Sequence, residues 1–379
     1  MIIGVDIRVL GSDVKSGVEE YTENLLAHLL LLNKDIKFKL FYSSFRNNLK
    51  KYEWMSLPNV EVFNFRLPNK LLFGLSWLFN FPKVDKLIGG VDVFFSPHFL
   101  LAPLSPDCKR VTTFHDLSFV RFKEFFSWRR NLWHKIQVGN LYRPNLADKI
   151  IAVSQSTKTD LIEKYNLDPD RIKVVYSGIS QSIFRPSKED LQLFKKEKKL
   201  PDKFILFLGK LEPRKNISGV VRAFNILKSS NKFDDLFLVI VGSPGWLYKN
   251  IYEEVKQSPY KNNIIFKNYI IDEDRKFYYS LASVFVYPSF FEGFGFPPLE
   301  AMVCKTSVVT SFNSSLPEVV GGAGILVDPN NIVDISNAVR GIIEDLELKN
   351  TLIERGLERV GMFNWKTCSE ETLRSFFSK

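Results

Sequence analysis

Two acidic residues stand eight positions apart in the stretch VYPSFFEGFGFPPLEAMVC (286–304): Glu292 and Glu300. Ionised carboxylates are good hydrogen-bond acceptors for sugar and ribose hydroxyls. Gly293 and Gly295 between them let a backbone approach a ligand closely. Pro297 and Pro298 are tolerated only in the first turn of a helix, so a helix starts there, after a strand ending at Tyr287-Pro288. Without a ligand, Glu300 would still interact favourably with its own helix N-terminus, by ~0.3–1 kcal/mol, and Glu292 would be an exposed loop charge. Glycine, phenylalanine and proline packed this densely around two acids favour a site.

The second group is FILFLGKLEPRKN (204–216). An apolar strand ends at Gly209, the loop carries Lys210, Arg214 and Lys215, and Asn216 stands where an N-cap would open a helix to Lys228. Adjacent cations beside a helix N-terminus suit a phosphate or diphosphate. A solvated charged turn is the ordinary alternative. The stretch is not a P-loop, because GxxxxGK[ST] is missing. Weaker signals lie earlier. Gly17 opens the amphipathic helix in SGVEEYTENLLAHLL (16–30). His115-Asp116 ends a strand in TTFHDLSF (112–119), and His98 in SPHF follows another. A lone histidine is more often structural, and His28 and His134 fall within helices. Asp272-Glu273-Asp274 has the look of an acidic metal triplet, but suits the first turn of a helix better. Neither HExxH, GxSxG nor GxGxxG after the first strand occurs, which argues against a zincin, an α/β-hydrolase and a standard dinucleotide fold.

The elements that must position these residues alternate between strands and helices. Short apolar runs predict strands at 2–7, 36–42, 60–65, 91–95, 111–114 and 150–154, then at 204–209, 236–242, 263–266, 284–288, 308–310 and 325–328. Amphipathic stretches Val18–Leu32 and Arg129–Tyr142 predict helices between them. Strands apolar on both faces and separated by helices imply parallel sheets covered on both sides. A charged stretch, SKEDLQLFKKEKKLPDK (187–203), marks a linker near 180–200. Two α/β domains follow, 1–185 and 186–364, with a C-terminal helix at 365–379. In such folds ligands bind at the carboxyl ends of the strands, here in a cleft between the domains.

At 379 residues and 25% charged residues the chain is globular rather than disordered or fibrous. No apolar run reaches the ~20 residues that span a bilayer. The N-terminus reads as a first strand rather than a signal peptide. Three cysteines, Cys108, Cys304 and Cys368, suit a reducing cytoplasm and exclude a disulfide framework. Of the net charge of +10, residues 1–185 carry +8 (26 basic, 18 acidic). Such an excess can attract an anionic membrane surface, a phosphorylated substrate or nucleic acid. The stretch FVRFKEFFSWRRNLWHK (119–135) mixes aromatic and basic residues in the manner of a membrane-interface segment. The same aromatics packed inside the domain are the alternative.

Together these motifs resemble retaining glycosyltransferases of the GT-B fold, in particular glycosyltransferase family 4, over essentially the whole chain. Glu292 and Glu300 match the family's E-x7-E motif, and LGKLEPRKN its diphosphate loop. SLPEVVGGAGILVDPNN (315–331), SGVEEYTENLLAHL, TFHDLSF and ADKIIAVSQSTKTDLIEKYNLDPDRIKVVYSGI (147–179) match further segments in order. The resemblance implies an α/β GT-B enzyme of two Rossmann-like domains facing across a cleft. It implies that Arg214 and Lys215 hold a donor diphosphate, that Glu300 binds the nucleotide ribose and that Glu292 contacts the donor sugar. The amides of Phe294, Gly295 and Phe296 would cradle sugar and phosphate. Gly17 would sit beside the diphosphate, and His115 over the donor sugar near the acceptor. Many members have Arg where Lys210 stands, which leaves Arg214 for that phosphate role and Lys210 without one.

The expected function is therefore retaining transfer of a hexose, mannose or glucose, from a nucleotide-diphosphate sugar to a glycan or lipid-linked acceptor. Mannosyltransferase-like EPRKN and FHDL segments put GDP-mannose first and UDP-glucose second as donor. No metal and no cofactor are expected, because cations and amides can neutralise the leaving phosphate. The expected location is cytoplasmic, at or near the inner face of the membrane. The competing readings are a sugar-nucleotide epimerase or phosphorylase, or a nucleotide- or nucleic-acid-binding protein without transferase activity. No phosphorylase cofactor-lysine motif and no nucleic-acid-binding signature supports these.

Overall fold

The computed structural model describes residues 1–11, 17–45, 49–100, 102–122, 132, 147–268 and 270–377. Apart from Leu132, the predicted helix at Arg129–Tyr142, with His134, lies outside the described residues, as does most of the 119–135 stretch.

Each predicted apolar run is a strand, with ends within two residues of those expected. One short strand, Ile172–Val174, was not anticipated. Seven parallel strands build the first sheet in the order β3-β2-β1-β4-β5-β6-β7: Val60–Phe65, Lys37–Ser43, Ile2–Asp6, Val93–Ser96, Lys109–Phe114, Lys149–Ala152 and Ile172–Val174. Six parallel strands build the second in the order β10-β9-β8-β11-β12-β13: Ile264–Lys267, Leu236–Val241, Lys203–Leu208, Val284–Tyr287, Val308–Ser311 and Ile325–Val327. Val, Ile and Phe fill both faces of the central strands. Ile3 and Val5 of β1 and Leu206 and Phe207 of β8 are all buried, as sheets covered on both sides require. In each sheet the strand order reverses once, between β1 and β4 and between β8 and β11. At such a switch point the loops leaving the carboxyl ends of neighbouring strands part and leave room for a ligand.

The chain divides into two compact units, the second being Ile179–Met362. The first takes in the chain up to Gly178 and again from Phe363 onward, so the last helix, Trp365–Phe377, belongs with the first sheet. It packs on the helix Gly17–Leu29. Tyr21 meets Trp365 edge to face at 5.8 Å, and Phe376 lies against Phe95 at 5.2 Å. A Cβ on Gly178 would come within 2.3 Å of the Trp365 backbone nitrogen, so only glycine allows this return.

The charged stretch expected to be a linker is folded. Ser187 caps a helix, Lys188–Glu197, by accepting from the Asp190 amide. Leu191 and Phe194 are buried on one face of that helix, and Phe194 stacks on Phe277. Its charge reflects one solvated face of an amphipathic helix rather than an open connection.

Candidate active site

Two loops leave the second sheet at its switch point. One follows β8 and runs from Gly209 to Asn216; the other follows β11 and runs from Pro288 to Gly295. Their parent strands are hydrogen-bonded neighbours, Ile205 opposite Val284 and Leu206 opposite Phe285. The sheet thus places the two motifs side by side, although some 77 residues separate them in sequence.

The first loop is pinned before it turns. The Gly209 amide donates to Val241, and that of Leu211 to Ser243. A Cβ on Gly242 would lie 1.9 Å from the Gly209 carbonyl oxygen, so this close approach needs glycine. A short turn, Pro213–Lys215, then hands over to the helix Ile217–Lys228. Asn216 stands at the predicted cap position, with left-handed backbone, but its side chain caps nothing. It donates instead to the Pro329 carbonyl at 2.7 Å, tying the loop to the DPNN segment. The second loop is tied to the first by the Phe290 amide, which donates to the Arg214 carbonyl. Ser315 donates to the carbonyls of Glu292 and Phe294, and the Glu292 amide donates to Ser314. Gly295, at φ 111°, lets the chain turn into the helix Phe296–Val303, with proline in its first turn as the sequence predicts. The first amides of that helix, Phe296 among them, have no carbonyl of their own helix to meet.

The side chains converge. Lys215 Nζ donates to Glu292 Oε1 and to the Tyr287 hydroxyl, each at 2.5 Å. Arg214 donates to Glu292 Oε2 at 3.1 Å, to Glu212 at 2.8 Å and to the Phe291 carbonyl. Two cations and two carboxylates are therefore paired, and all four side chains are at most 11% exposed. Burial alone would raise the Glu292 carboxyl, but Arg214 and Lys215 outweigh it and hold the group down at about 2. Burial, with Arg214 adding to it, lowers the Lys215 ammonium, and Glu292 offsets part of this. Burial and the neighbouring Glu292 push the Tyr287 hydroxyl well up, so it stays protonated.

Glu300 sits one turn into the Phe296–Val303 helix and is buried. Its two oxygens accept from Arg275 at 2.8 Å and Tyr279 at 2.7 Å. Those two residues lie four apart on the helix Arg275–Leu281 and so share a face. The two acids of the motif are thus held by different partners. Neither is the exposed charge or self-capping residue that the sequence left as an alternative.

Glu212, Arg275, Tyr279 and Tyr287 escaped the sequence reading. Tyr287 was legible only as a strand end and Glu212 only as a loop letter. For Arg275 and Tyr279 the i,i+4 spacing was the available signal. Lys210 is exposed. Asp272 and Asp274 form a short turn ahead of the Arg275 helix, without a capping hydrogen bond from Asp274; Asp272 approaches Arg275 and Asp274 approaches Lys198, each at 3.7 Å. Among the described residues no three His, Cys, Asp or Glu gather as a metal site.

In the first unit, Gly17 and His115 follow the carboxyl ends of β1 and β5. Gly17 is exposed, with no described atom within 4 Å of where a Cβ would be. His115 is partly buried between the Tyr21 edge, at 4.7 Å, and the His98 ring, at 5.7 Å. Burial lowers its pKa, against the pull of the Pro97 carbonyl 2.8 Å from Nε2. A carbonyl can only accept, so Nε2 carries the proton and Nδ1 is an acceptor. Asp116 is occupied in a turn, accepting from the Ser118 amide and hydroxyl. His28 bonds the Asn24 carbonyl within its own helix. Of the 119–135 stretch, Phe119 is buried against Phe99, and Arg121 pairs with Asp160 and Glu163. These two face the domain or its acids, whereas Leu132, also described there, is 49% exposed.

Two parallel Rossmann-like sheets, with paired acids and cations at the switch point of the second, define a GT-B glycosyltransferase. Residues 15–182 match the family described as Glycosyltransferase Family 4, and residues 188–359 that described as Glycosyl transferases group 1. The chain belongs to glycosyltransferase family 4. It is 33% identical over 269 residues to O-antigen chain mannosyltransferase B of Escherichia coli, covering 71% of this chain and 70% of that one. It is 30% identical over 271 residues to the serotype-specific mannosyltransferase WbdA of the same organism, but spans only 33% of it. Among solved structures, sucrose-phosphate synthase from Thermosynechococcus elongatus superposes with TM-score 0.75 at 22% identity, covering 98% of this chain and 97% of that one. Anabaena HepE in complex with UDP and glucose gives 0.72 at 18% identity, covering 100% of both. At these identities the structures speak for the fold. The protein is a glycosyltransferase, and both Escherichia coli relatives, at 30% identity or more, are mannosyltransferases.

Proposed function

We propose that the protein transfers mannose, with retention of anomeric configuration, from GDP-mannose to a growing glycan or lipid-linked acceptor. UDP-glucose is the second choice of donor. The observation that carries this reading is the buried Arg214–Glu292–Lys215 cluster at the β8/β11 switch point, beside the N-terminus of the Phe296–Val303 helix. Cleaving the bond between an anomeric carbon and a nucleoside diphosphate puts negative charge on the departing phosphate. Arg214, Lys215 and the amides of Phe294, Gly295 and Phe296 would take that charge, each group worth ~3–4 kcal/mol in a preorganised site. This duty is what makes a metal ion dispensable, and activity should survive EDTA. Glu300, held by Arg275 and Tyr279, would accept from the ribose, since each carboxylate oxygen has a second lone pair.

Glu292 would contact the donor sugar. Its oxygens are engaged by two cations and its carboxyl is held at about 2, which makes it a weak nucleophile. That supports attack by the acceptor hydroxyl on the face the phosphate leaves. The acceptor oxygen bonds to the anomeric carbon, the carbon–phosphate oxygen bond breaks, and the hydroxyl proton passes to the phosphate. His115, from the N-terminal unit, would lie near sugar and acceptor, and Gly17 beside the diphosphate. The mannose preference rests on the mannosyltransferase relatives, and the polysaccharide setting on the O-antigen relative. A lipid-linked acceptor would hold the enzyme at the cytoplasmic face of a membrane. Among the described residues no helix is long and apolar enough to cross one.

The test is hydrolysis and transfer across a panel of GDP- and UDP-sugars, with the anomer of the product read by NMR. Arg214→Ala should lose roughly two to three orders of magnitude in turnover. Undiminished turnover in Arg214→Ala and Lys215→Ala, or inverted product, would overturn the assignment.

A further inference from the structure

The helix Asn69–Phe79 turns its apolar side to water. Leu72 and Ser76 are its buried residues. Leu72 packs into a core cluster with Phe41, Val84, Ile88 and Phe94. Away from that buried pair Leu71 is 50% exposed, Trp77 47% and Leu78 65%; Phe79, at the last position of the helix, is 69% exposed, and Phe81 just beyond it 59%. Leu71 and Leu78, with Gly74 between them, follow the three-and-four spacing of one helical face, and Trp77 adjoins it; Phe81 follows in the turn that leaves the helix through left-handed Asn80. A surface helix ordinarily presents charges there; Lys70 is the one charged residue in this helix. Phe45 and Leu67 extend the feature at the ends of β2 and β3, where Ser43 donates to the Leu67 carbonyl. An exposed apolar surface of this kind marks an interaction site.

Charge decides the occupant. From Val62 through Val84 there is no acidic residue, while Arg66, Lys70 and Lys83 are basic. Arg66 and Lys70 are exposed beside the apolar residues, and Lys83 is partly exposed. Trp, Phe and Leu flanked by cations fit the headgroup boundary of an anionic bilayer, where the rings sink and the cations meet phosphates. A protein partner would find few hydrogen-bonding side chains here. The face lies beyond the carboxyl ends of β2 and β3, the same edge of the sheet from which Gly17 and His115 rise. We infer that Asn69–Phe79 and the Phe81 turn are a membrane-docking face for an anionic lipid surface. The inference rests on the lipid-linked acceptor of the proposed function, and assigns its docking to this helix rather than to the 119–135 stretch.

The experiment is co-sedimentation of the full chain with vesicles of phosphatidylcholine alone or mixed with phosphatidylglycerol, at low and high salt. Wild type should bind the anionic vesicles, more weakly in high salt, and bind neutral ones poorly. The double variant Trp77→Ser/Leu78→Ser should lose about ten-fold in partitioning per residue. Arg66→Gln/Lys70→Gln should lose roughly five-fold per residue, and only at low salt. Quenching of tryptophan fluorescence by brominated lipid should drop in Trp77→Phe. Transfer to a water-soluble acceptor, measured alongside, should be unchanged in every variant. If wild type ignores vesicles, or both double variants bind like wild type, the docking face is wrong. It is equally wrong if wild type is a dimer that Trp77→Ser/Leu78→Ser dissociates without any vesicle binding. Soluble transfer that persists without vesicle binding sinks the docking face alone; vesicle binding without any transfer sinks the proposed chemistry alone.

Discussion

The carboxyl edges of the two sheets are built on opposite principles. At the second, charge is buried: Arg214, Lys215, Glu212 and Glu292 neutralise one another, and Glu300 is clasped by Arg275 and Tyr279. At the first, apolar side chains are exposed: Leu71, Trp77, Leu78, Phe79 and Phe81 stand in water, with Arg66, Lys70 and Lys83 near them in sequence. Buried ion pairs seldom add net stability over an apolar core. What they supply is fixed geometry, at the cost of strong sensitivity to losing either partner. Exposed apolar groups add nothing to the fold and are sensitive only to what binds them. On the proposed reading one edge is preorganised for a small anionic ligand, and the other is a surface for a large one. The same kind of substitution should have very different consequences on the two sides.

The largest effect should come from Glu292→Ala. It leaves Lys215 and Arg214 buried with a carboxylate missing, a change that costs about 3–5 kcal/mol. Lys215 then loses the partner that offsets its burial, and should deprotonate at lower pH than in the parent. Turnover should fall by roughly two orders of magnitude or more. Thermal unfolding and steady-state kinetics on one preparation check both. A variant that keeps its melting temperature while losing turnover would mean that the cluster acts on the substrate without supporting the fold.

Acid should separate the two edges next. The Glu292 carboxyl ordinarily titrates near 4.5 and is held at about 2 in the folded protein. Its contribution to stability is complete above about 4.5 and disappears as the pH falls toward 2, a loss of about 3 kcal/mol. His115 has the opposite charge logic: burial favours its neutral form. The unfolded chain therefore takes up that proton first, and stability declines as pH falls below histidine's ordinary value of about 6.5. Hydrogen exchange should show amides of β5 loosening at higher pH than those of β8 and β11. Glu292→Gln should erase the acid step in β8 and β11 and leave the β5 response alone.

Glu300→Gln should do less. It keeps a hydrogen-bond acceptor for Tyr279 or Arg275 but removes the charge facing the guanidinium. Nucleotide affinity should weaken by ~1.5–3 kcal/mol if the ribose hydroxyls bond a charged acceptor. Calorimetric titration of GDP and UDP reads this directly. Arg275→Lys provides the sharper comparison, because a point charge cannot reproduce the planar fork that fixes Glu300. Equal affinity losses in Glu300→Gln and Glu292→Gln would contradict the separate holders that the structure gives these acids.

How much of this the sequence could tell follows from what kind of order was involved. The parallel sheets were legible because continuous Val, Ile and Phe runs have few other uses. Glu292 and Glu300 were legible because glycine and proline around them constrain the backbone locally. The holders of those acids were not. Arg275 and Tyr279 reach Glu300 from 25 and 21 residues away, and Glu212 looked like any loop charge beside Pro213. Pairing across a switch point is a property of strand order, which no local pattern carries. The charged run at 187–203 misled for a related reason. Its Leu191 and Phe194 mark a buried helical face, but lysines and acids outnumber them. The aromatic and basic run at 119–135 carries a membrane reading by composition, and most of it lies outside the described residues; the exposed aromatics of 71–81 stand out only once burial is known.

The smallest effect on stability should therefore fall on residues of a kind that usually matter most. Trp77 and Leu78 are large and apolar, and replacing such residues in a core costs 2–5 kcal/mol. Here Leu78 is 65% exposed and Trp77 47%, so Leu78→Ser should change stability by no more than about 0.5 kcal/mol and Trp77→Ser, whose ring is half covered, by no more than about 1.5 kcal/mol. Helix propensity works slightly against both, since Leu and Trp are no worse than Ser in a helix. Leu72→Ala is the internal control: one position on the same helix, fully buried in the Phe41–Val84–Ile88 cluster, it should cost about 2–5 kcal/mol. Urea titrations of the three variants in detergent-free buffer give the contrast. If Trp77→Ser destabilised the fold as much as Leu72→Ala, the exposed face would be packing against the protein in solution. The division between a preorganised edge and an open one would then fail at its simplest point.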